Sequence, residues 1–209
     1  MAKEASALAG IYAVTEPRED LAEAVAAALR GGVRVVQYRD KGGDHARRLA
    51  EARRLRGLCA EHGALLIVND DPELAAEAGA DGVHLGADDP DVAQARRRLG
   101  EAAWIGVSCY ADLERARRLV AAGADYVAFG SVFPSPTKPE SALAPLDTLA
   151  AGRRALGCPV VAIGGINLEN VAQVAAAGAD AAAVVSALFA ADDPERAAAE
   201  LVAQWRRSR

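Results

Sequence analysis

One tetrapeptide recurs three times in this chain: Ala78-Gly79-Ala80-Asp81, Ala122-Gly123-Ala124-Asp125 and Ala177-Gly178-Ala179-Asp180. Each copy follows an Ala-rich helical stretch and precedes a short apolar run: Gly82-Val83-His84-Leu85, Tyr126-Val127-Ala128-Phe129 and Ala182-Ala183-Val184-Val185. A glycine just past a helix fits the left-handed C-terminal position, and the run after it has the length and residues of a strand. The repeat is therefore the helix-to-strand joint of a β/α unit, written three times.

Eight apolar runs continue the pattern, near 10–15, 33–38, 64–69, 81–85, 103–108, 125–130, 158–163 and 181–185. Amphipathic stretches such as 44–61 and 111–121 separate them. Several runs are apolar throughout instead of alternating, as in parallel strands buried on both faces. Eight strands alternating with helices within 209 residues predict one (β/α)₈ TIM barrel of class α/β, with a doubly wound sheet as the alternative. The expected organisation is a single domain over 1–209, with residues 1–8, Lys3 among them, as a flexible tail.

Composition narrows the function. The net charge is −5 and no basic block occurs beyond short helical Arg groups, which argues against nucleic acid as a partner. No apolar run reaches the length of a membrane span. The first residues, Met1 to Ser6, lack a signal-peptide pattern, and the odd, scattered Cys59, Cys109 and Cys158 suit a reducing compartment, so a cytoplasmic location is expected. Oligomeric state is not legible. Twenty-one arginines stand against three lysines, and two of those, Lys41 and Lys138, close unusual polar segments. A compact ammonium suits a point-charge task such as gripping phosphate.

In a barrel the chemistry lies at the C-terminal strand ends. Those ends read Thr15-Glu16, Gln37-Tyr38-Arg39-Asp40-Lys41, Asn69-Asp70-Asp71, Gly86-Ala87-Asp88-Asp89, Ser108, the Ser135-Pro136-Thr137-Lys138 loop, Gly164-Gly165-Ile166 and Val185-Ser186. Asp70 and Asp89, on adjacent strands, suit Mg²⁺, which takes one or two carboxylates and fills its shell with water and phosphate oxygens. Each sits in a doublet before a proline, so one Asp of each pair is expected to cap a helix. The glycines after strand seven and Val185-Ser186 occupy the usual phosphate position of such barrels; a tight turn needing positive φ is the plainer reading of the glycines. His84 reads as a satisfied structural histidine, His45 and His62 as surface residues, Cys109 as no nucleophile, and Trp104 and Trp205 as packing.

Taken together, Gln37-x-Arg39-x-Lys41, Asn69-Asp70-Asp71, Val83-His84-Leu85-Gly86 with Asp89, Ser131-Val132-Phe133-x-Ser135-x-Thr137-Lys138 and Gly164-Gly165-Ile166 resemble the thiamine-phosphate synthase family, over nearly the whole chain. The resemblance implies that hydroxymethylpyrimidine diphosphate loses pyrophosphate to the nitrogen of a thiazole phosphate. It assigns Gln37, Tyr38, Arg39, Asp40, Lys41, Asn69, Ser108 and Lys138 to the pyrimidine diphosphate, with Lys41, Ser108 and Lys138 catalytic. It assigns Ser135, Pro136, Thr137, Gly165, Val185 and Ser186 to the thiazole phosphate, and Asp70 and Asp89 to Mg²⁺. Ala87 and Ser135 depart from the family's common glutamine and threonine. A thiazole phosphate tautomerase or a non-catalytic binding barrel would need the phosphate cradle but neither the carboxylates nor the diphosphate-binding lysines.

Overall fold

The computed structural model describes residues 3–89, 91–134 and 142–209. Ser135, Pro136, Thr137 and Lys138 lie outside them. Eight parallel strands close into a barrel in sequence order: β1 (Gly10–Val14), β2 (Val35–Tyr38), β3 (Leu65–Asn69), β4 (Gly82–Leu85), β5 (Trp104–Tyr110), β6 (Tyr126–Gly130), β7 (Val160–Ile163) and β8 (Ala181–Val184). Helices α1 (Leu21–Arg30), α2 (His45–Glu61), α3 (Pro72–Ala78), α4 (Val92–Leu99), α5 (Leu113–Ala121), α6 (Asp147–Leu156), α7 (Val171–Ala176), α8 (Ser186–Phe189) and α9 (Pro194–Arg207) complete the units. No described helix is long and apolar enough to cross a membrane.

Alternation along each strand sends successive residues to opposite faces. Ile11, Ala13, Val36, Leu66, Val68, Ile105 and Val107 pack outward within the helix-facing core. Tyr12, Val14, Val35, Ile67, Trp104, Tyr126, Val161, Ala181 and Ala183 fill the axis. Size is balanced across that axis: Tyr12 is in register with Ala183, and Gly106 with Tyr126. A Cβ on Gly106 would sit 1.9 Å from Tyr126 Cζ, so only glycine leaves room for that ring.

The repeated tetrapeptide does more than turn the chain. Gly79, Gly123 and Gly178 have φ of 66°, 101° and 87°, as the C-terminal position requires. The aspartate that follows stitches neighbouring strands together. Asp81 Oδ2 accepts from the Leu66 N–H at 2.8 Å, Asp125 Oδ2 from Ile105 at 2.7 Å, and Asp180 Oδ2 from Val160 at 2.9 Å. Their own N–H groups donate to the carbonyls of the same three residues. Arg56, Arg96 and Arg153 balance the three charges. The joint thus ties β3 to β4, β5 to β6 and β7 to β8 at the N-terminal end.

The N-terminal segment departs from expectation. Residues 3–8, read above as a flexible tail, pack across that end of the barrel. Lys3 Nζ lies 2.7 Å from Asp125 Oδ1 and over the Trp104 ring, Ala5–Leu8 forms a 3₁₀ turn, and Leu8 is fully buried against the axial residues. A bare apolar end to the axis is more costly than ordering a few residues over it.

Asp125→Ala removes one strand-end acceptor and leaves Lys3 and Arg96 without their shared carboxylate. Loss of a charge-assisted acceptor of this kind is expected to cost about 2 kcal/mol of stability, read from urea unfolding midpoints. A change below about 0.5 kcal/mol, the size of an ordinary surface substitution, would show that the stitch contributes nothing.

Candidate active site

The polar residues gather at the C-terminal mouth, as parallel strands dictate. The strand-end segments of β2, β3 and β4 form one cluster. An open cleft of about 430 Å³ is lined by Asp40, Lys41, Gly42, Arg48, Asn69, Asp70, Asp71, Pro72 and Glu73.

Asn69 ends β3 in register with His84 of β4. Asp70 then adopts a left-handed backbone, φ 66°, while its N–H donates to the His84 carbonyl at 2.8 Å. Such a conformation costs a non-glycine residue about 1–3 kcal/mol and collects at functional sites. Here it splits the doublet. Asp71 caps α3, accepting from Leu74 N–H at 3.0 Å, and Asp70 turns to meet Lys41 Nζ at 3.1 Å. Asp89 Oδ2 accepts from the Gly86 N–H at 2.5 Å, and its carboxyl stands against that of Asp70. Burial, then the neighbouring Asp70, push the Asp89 carboxyl above the usual range. Two neighbouring carboxylates, with Lys41 paired to Asp70, form a group that could hold a cation. The second doublet departs from expectation. Helix α4 starts at Val92 and is capped by Asp91, so neither Asp88 nor Asp89 caps it.

The β2 segment separates into two directions. Gln37 faces the axis, its Nε2 2.9 Å from the Tyr12 hydroxyl. The Arg39 N–H donates to Thr15 Oγ1 at 3.0 Å. Of the two residues Tyr38 and Asp40, assigned above to the diphosphate, Tyr38 is turned away from the cleft, whereas Asp40 lines it with both carboxylate oxygens already engaged. Tyr38 packs among the outer core residues and donates its hydroxyl to Glu51 at 2.6 Å. Asp40, with a side chain 3% exposed, accepts from the Gly42 N–H at 2.6 Å and from Arg47 Nη2 at 2.7 Å. Burial opposes its charge, but the Gly42 N–H and Arg47 prevail and hold its carboxyl below the usual range. The alternation of β2 explains Tyr38, which faces outward as Val36 does, while Gln37 faces the axis. Asp40 lies past the strand and is fixed by its own loop contacts. Asp40 therefore shapes the loop that carries Lys41.

His84 and Ser108 lie inside the mouth on β4 and β5. His84 Nδ1 is 3.1 Å from the Tyr126 hydroxyl and Nε2 is 3.0 Å from Ser108 Oγ, so both ring nitrogens are satisfied. Burial lowers its pKa to about 4, opposed by Asp70, and the ring is neutral near pH 7. Cys109 is buried with its thiol pushed up to about 12, chiefly by burial, which removes it as a nucleophile.

Across the mouth, Gly164 and Gly165 have φ of 105° and 61°. A Cβ on either would lie 1.9 Å from Ser131 Oγ or 2.3 Å from the Pro134 carbonyl respectively. Close approach to the segment after β6 therefore demands both glycines, whatever else they do. Val185 and Ser186 stand at the junction of β8 and α8.

Arg48 escaped the sequence reading. It lines the cleft, its Nη2 lies 3.2 Å from Asp71 Oδ2, and its buried Nε has no partner among the described residues. In sequence it is one of many helical arginines. Only the packing of α2 on α3 singles it out.

The chain's relatives bear on these residues. The family model described as thiamine monophosphate synthase matches residues 11–188. The thiamine-phosphate synthase of Halorhodospira halophila is 69% identical over 209 residues, spanning both chains in full. That of Chromobacterium violaceum is 58% identical over 199 residues, covering 94% of this chain and 95% of its own. The solved thiamine phosphate pyrophosphorylase from Pyrococcus furiosus superposes with a TM-score of 0.89 at 34% identity, covering 98% of each chain. With its closed parallel barrel and its polar strand ends, the chain belongs to the thiamine monophosphate synthase family, transferases of thiamine biosynthesis.

Proposed function

We propose that the chain joins 4-amino-2-methyl-5-(diphosphooxymethyl)pyrimidine to 4-methyl-5-(2-phosphooxyethyl)thiazole, giving thiamine phosphate and pyrophosphate in the cytoplasm. The observation that carries this reading is the meeting of Lys41 and Asp70 in one cleft, with Asp89 beside Asp70. Such a group suits a departing diphosphate better than a proton abstraction.

The donor set fits a divalent cation such as Mg²⁺. Asp70 and Asp89 supply hard oxygens, and their mutual repulsion would be relieved by a cation. Among the described residues no cluster of three or more His, Cys, Asp or Glu gathers, so water and phosphate oxygens would complete the shell. When bound, the ion supplies positive charge that stabilises the leaving pyrophosphate. Lys41 and Arg39 would add charge from the β2 loop, and Lys138 would add it from the loop after β6. The aminopyrimidine is electron-rich enough to tolerate positive charge on its methylene as the C–O bond breaks. The thiazole nitrogen then attacks with its own lone pair, so no general base is needed. This accords with His84, whose two nitrogens are already engaged. Gln37, Asn69 and Ser108 would orient the pyrimidine diphosphate. Ser135, Pro136, Thr137, Gly165, Val185 and Ser186 would seat the thiazole phosphate opposite it, and the shared orientation supplies the remaining acceleration.

Mixing both substrates should release pyrophosphate only when Mg²⁺ is present; no metal-dependent release would rule out the synthase. Asp70→Ala is expected to lower turnover by about 10²–10³-fold while calorimetry still registers thiazole phosphate binding. Equal loss of both would contradict separate anion sites. Lys138→Arg should also fail in turnover, since a planar guanidinium cannot replace a compact ammonium at the same point. Near-normal rates for that variant would remove the point-charge role.

A further inference from the structure

Five polar side chains run in single file through the barrel axis. Gln37 Nε2 lies 2.9 Å from the Tyr12 hydroxyl, and that hydroxyl lies 2.9 Å from the hydroxyl of Tyr126. The Tyr126 hydroxyl is 3.1 Å from His84 Nδ1, and His84 Nε2 is 3.0 Å from Ser108 Oγ. The file begins and ends on two residues of the mouth. Its three middle members are buried, so their hydrogens must be shared among themselves.

Proton bookkeeping along the file allows one direction once Gln37 is placed. Its amide nitrogen can only donate, so the Tyr12 oxygen accepts and passes its own hydrogen to Tyr126. Tyr126 in turn donates to His84 Nδ1, which must carry no proton. The neutral ring then bears its hydrogen on Nε2 and donates it to Ser108. The Ser108 hydroxyl keeps its own hydrogen for the mouth. Turning the Gln37 amide over would reverse every step, place the proton on Nδ1, and leave only lone pairs of Ser108 facing a ligand. The two ends of the file are therefore coupled.

We propose that Tyr12, Tyr126 and His84 are positioning residues that transmit to Ser108 the polarity set by the Gln37 amide. They make Ser108 a hydrogen-bond donor into the mouth and leave Gln37 its carbonyl and one N–H for a ligand. A donor at Ser108 suits a diphosphate oxygen; a pure acceptor there would repel it. A second feature supports the arrangement. The Tyr126 ring lies against Gly106, where a Cβ would come within 2.3 Å of the hydroxyl, so β5 is cut away where the file passes. The ligand assigned to Gln37 and Ser108 rests on the synthase reading; the direction of the file does not.

The test uses the full chain labelled with ¹⁵N-histidine, with His45 and His62 assigned by substitution. Without substrate at pH 7, His84 should appear as the Nε2–H tautomer. Tyr126→Phe keeps the ring but removes the hydroxyl, so His84 should become a mixture of tautomers while the melting temperature holds within a few degrees. The KM for the pyrimidine diphosphate should rise about ten-fold, the size of one lost hydrogen bond, with the KM for thiazole phosphate within about two-fold. Tyr12→Phe breaks the file at a second point and should raise the same KM. An Nδ1–H tautomer in the unsubstituted protein would overturn the proposal, as would an unchanged tautomer and KM in Tyr126→Phe, or equal rises in both KM values. Absence of pyrophosphate release by the unsubstituted protein would instead overturn the synthase reading, with the tautomer still reporting on the file.

Discussion

Closing eight short parallel strands into one barrel leaves polar chemistry few places to go. Every strand is buried on both faces, and closure removes the edges that another sheet would expose. Polar groups must therefore sit at the strand ends or be fully partnered along the axis. The two ends have divided the work. At the N-terminal end, Asp81, Asp125 and Asp180 satisfy strand N–H groups and are balanced by arginines, so their charges are spent on holding the barrel together. At the C-terminal end, carboxylates and cations are held apart from such duties.

Asp70 shows how that separation is achieved. Its neighbour Asp71 takes the capping task, and the left-handed backbone at Asp70 swings its own carboxylate toward Lys41 and Asp89. Asp40 performs the complementary service in the β2 loop. With both oxygens engaged by Gly42 and Arg47, it fixes the loop from which Lys41 reaches out. Strain and repulsion at the mouth are carried by a rigid barrel beneath it.

The axis links these groups in a way that no loop could. Small residues on β8 and Gly106 on β5 make space for Tyr12 and Tyr126. Their hydroxyls meet where both side chains are fully buried. A hydrogen bond there has a definite direction, because each group has a limited stock of donors and acceptors. Gln37 and Ser108 can then present fixed patterns although they stand on β2 and β5.

Much of this was legible from sequence. The thrice-written joint, the eight apolar runs and the polar residues after them follow from local rules, since helix and strand impose their periods on adjacent residues. That Lys41, Asp70 and Asp89 follow strands and that Gln37 lies near the end of β2 could be read from the chain. What the chain alone could not reveal depends on long-range register. Tyr38 faces α2 because of its parity on β2, Asp40 is held by Arg47 of α2, and Lys3 is ordered because Asp125 and Trp104 lie across the barrel end. Tyr12 and Tyr126 looked like ordinary strand aromatics 114 residues apart. Sequence by itself determined the alternating units and which polar residues end each strand, because those are set by neighbours in the chain. Tertiary structure alone decided which side chains turn inward and meet, because barrel closure and strand register set those distances.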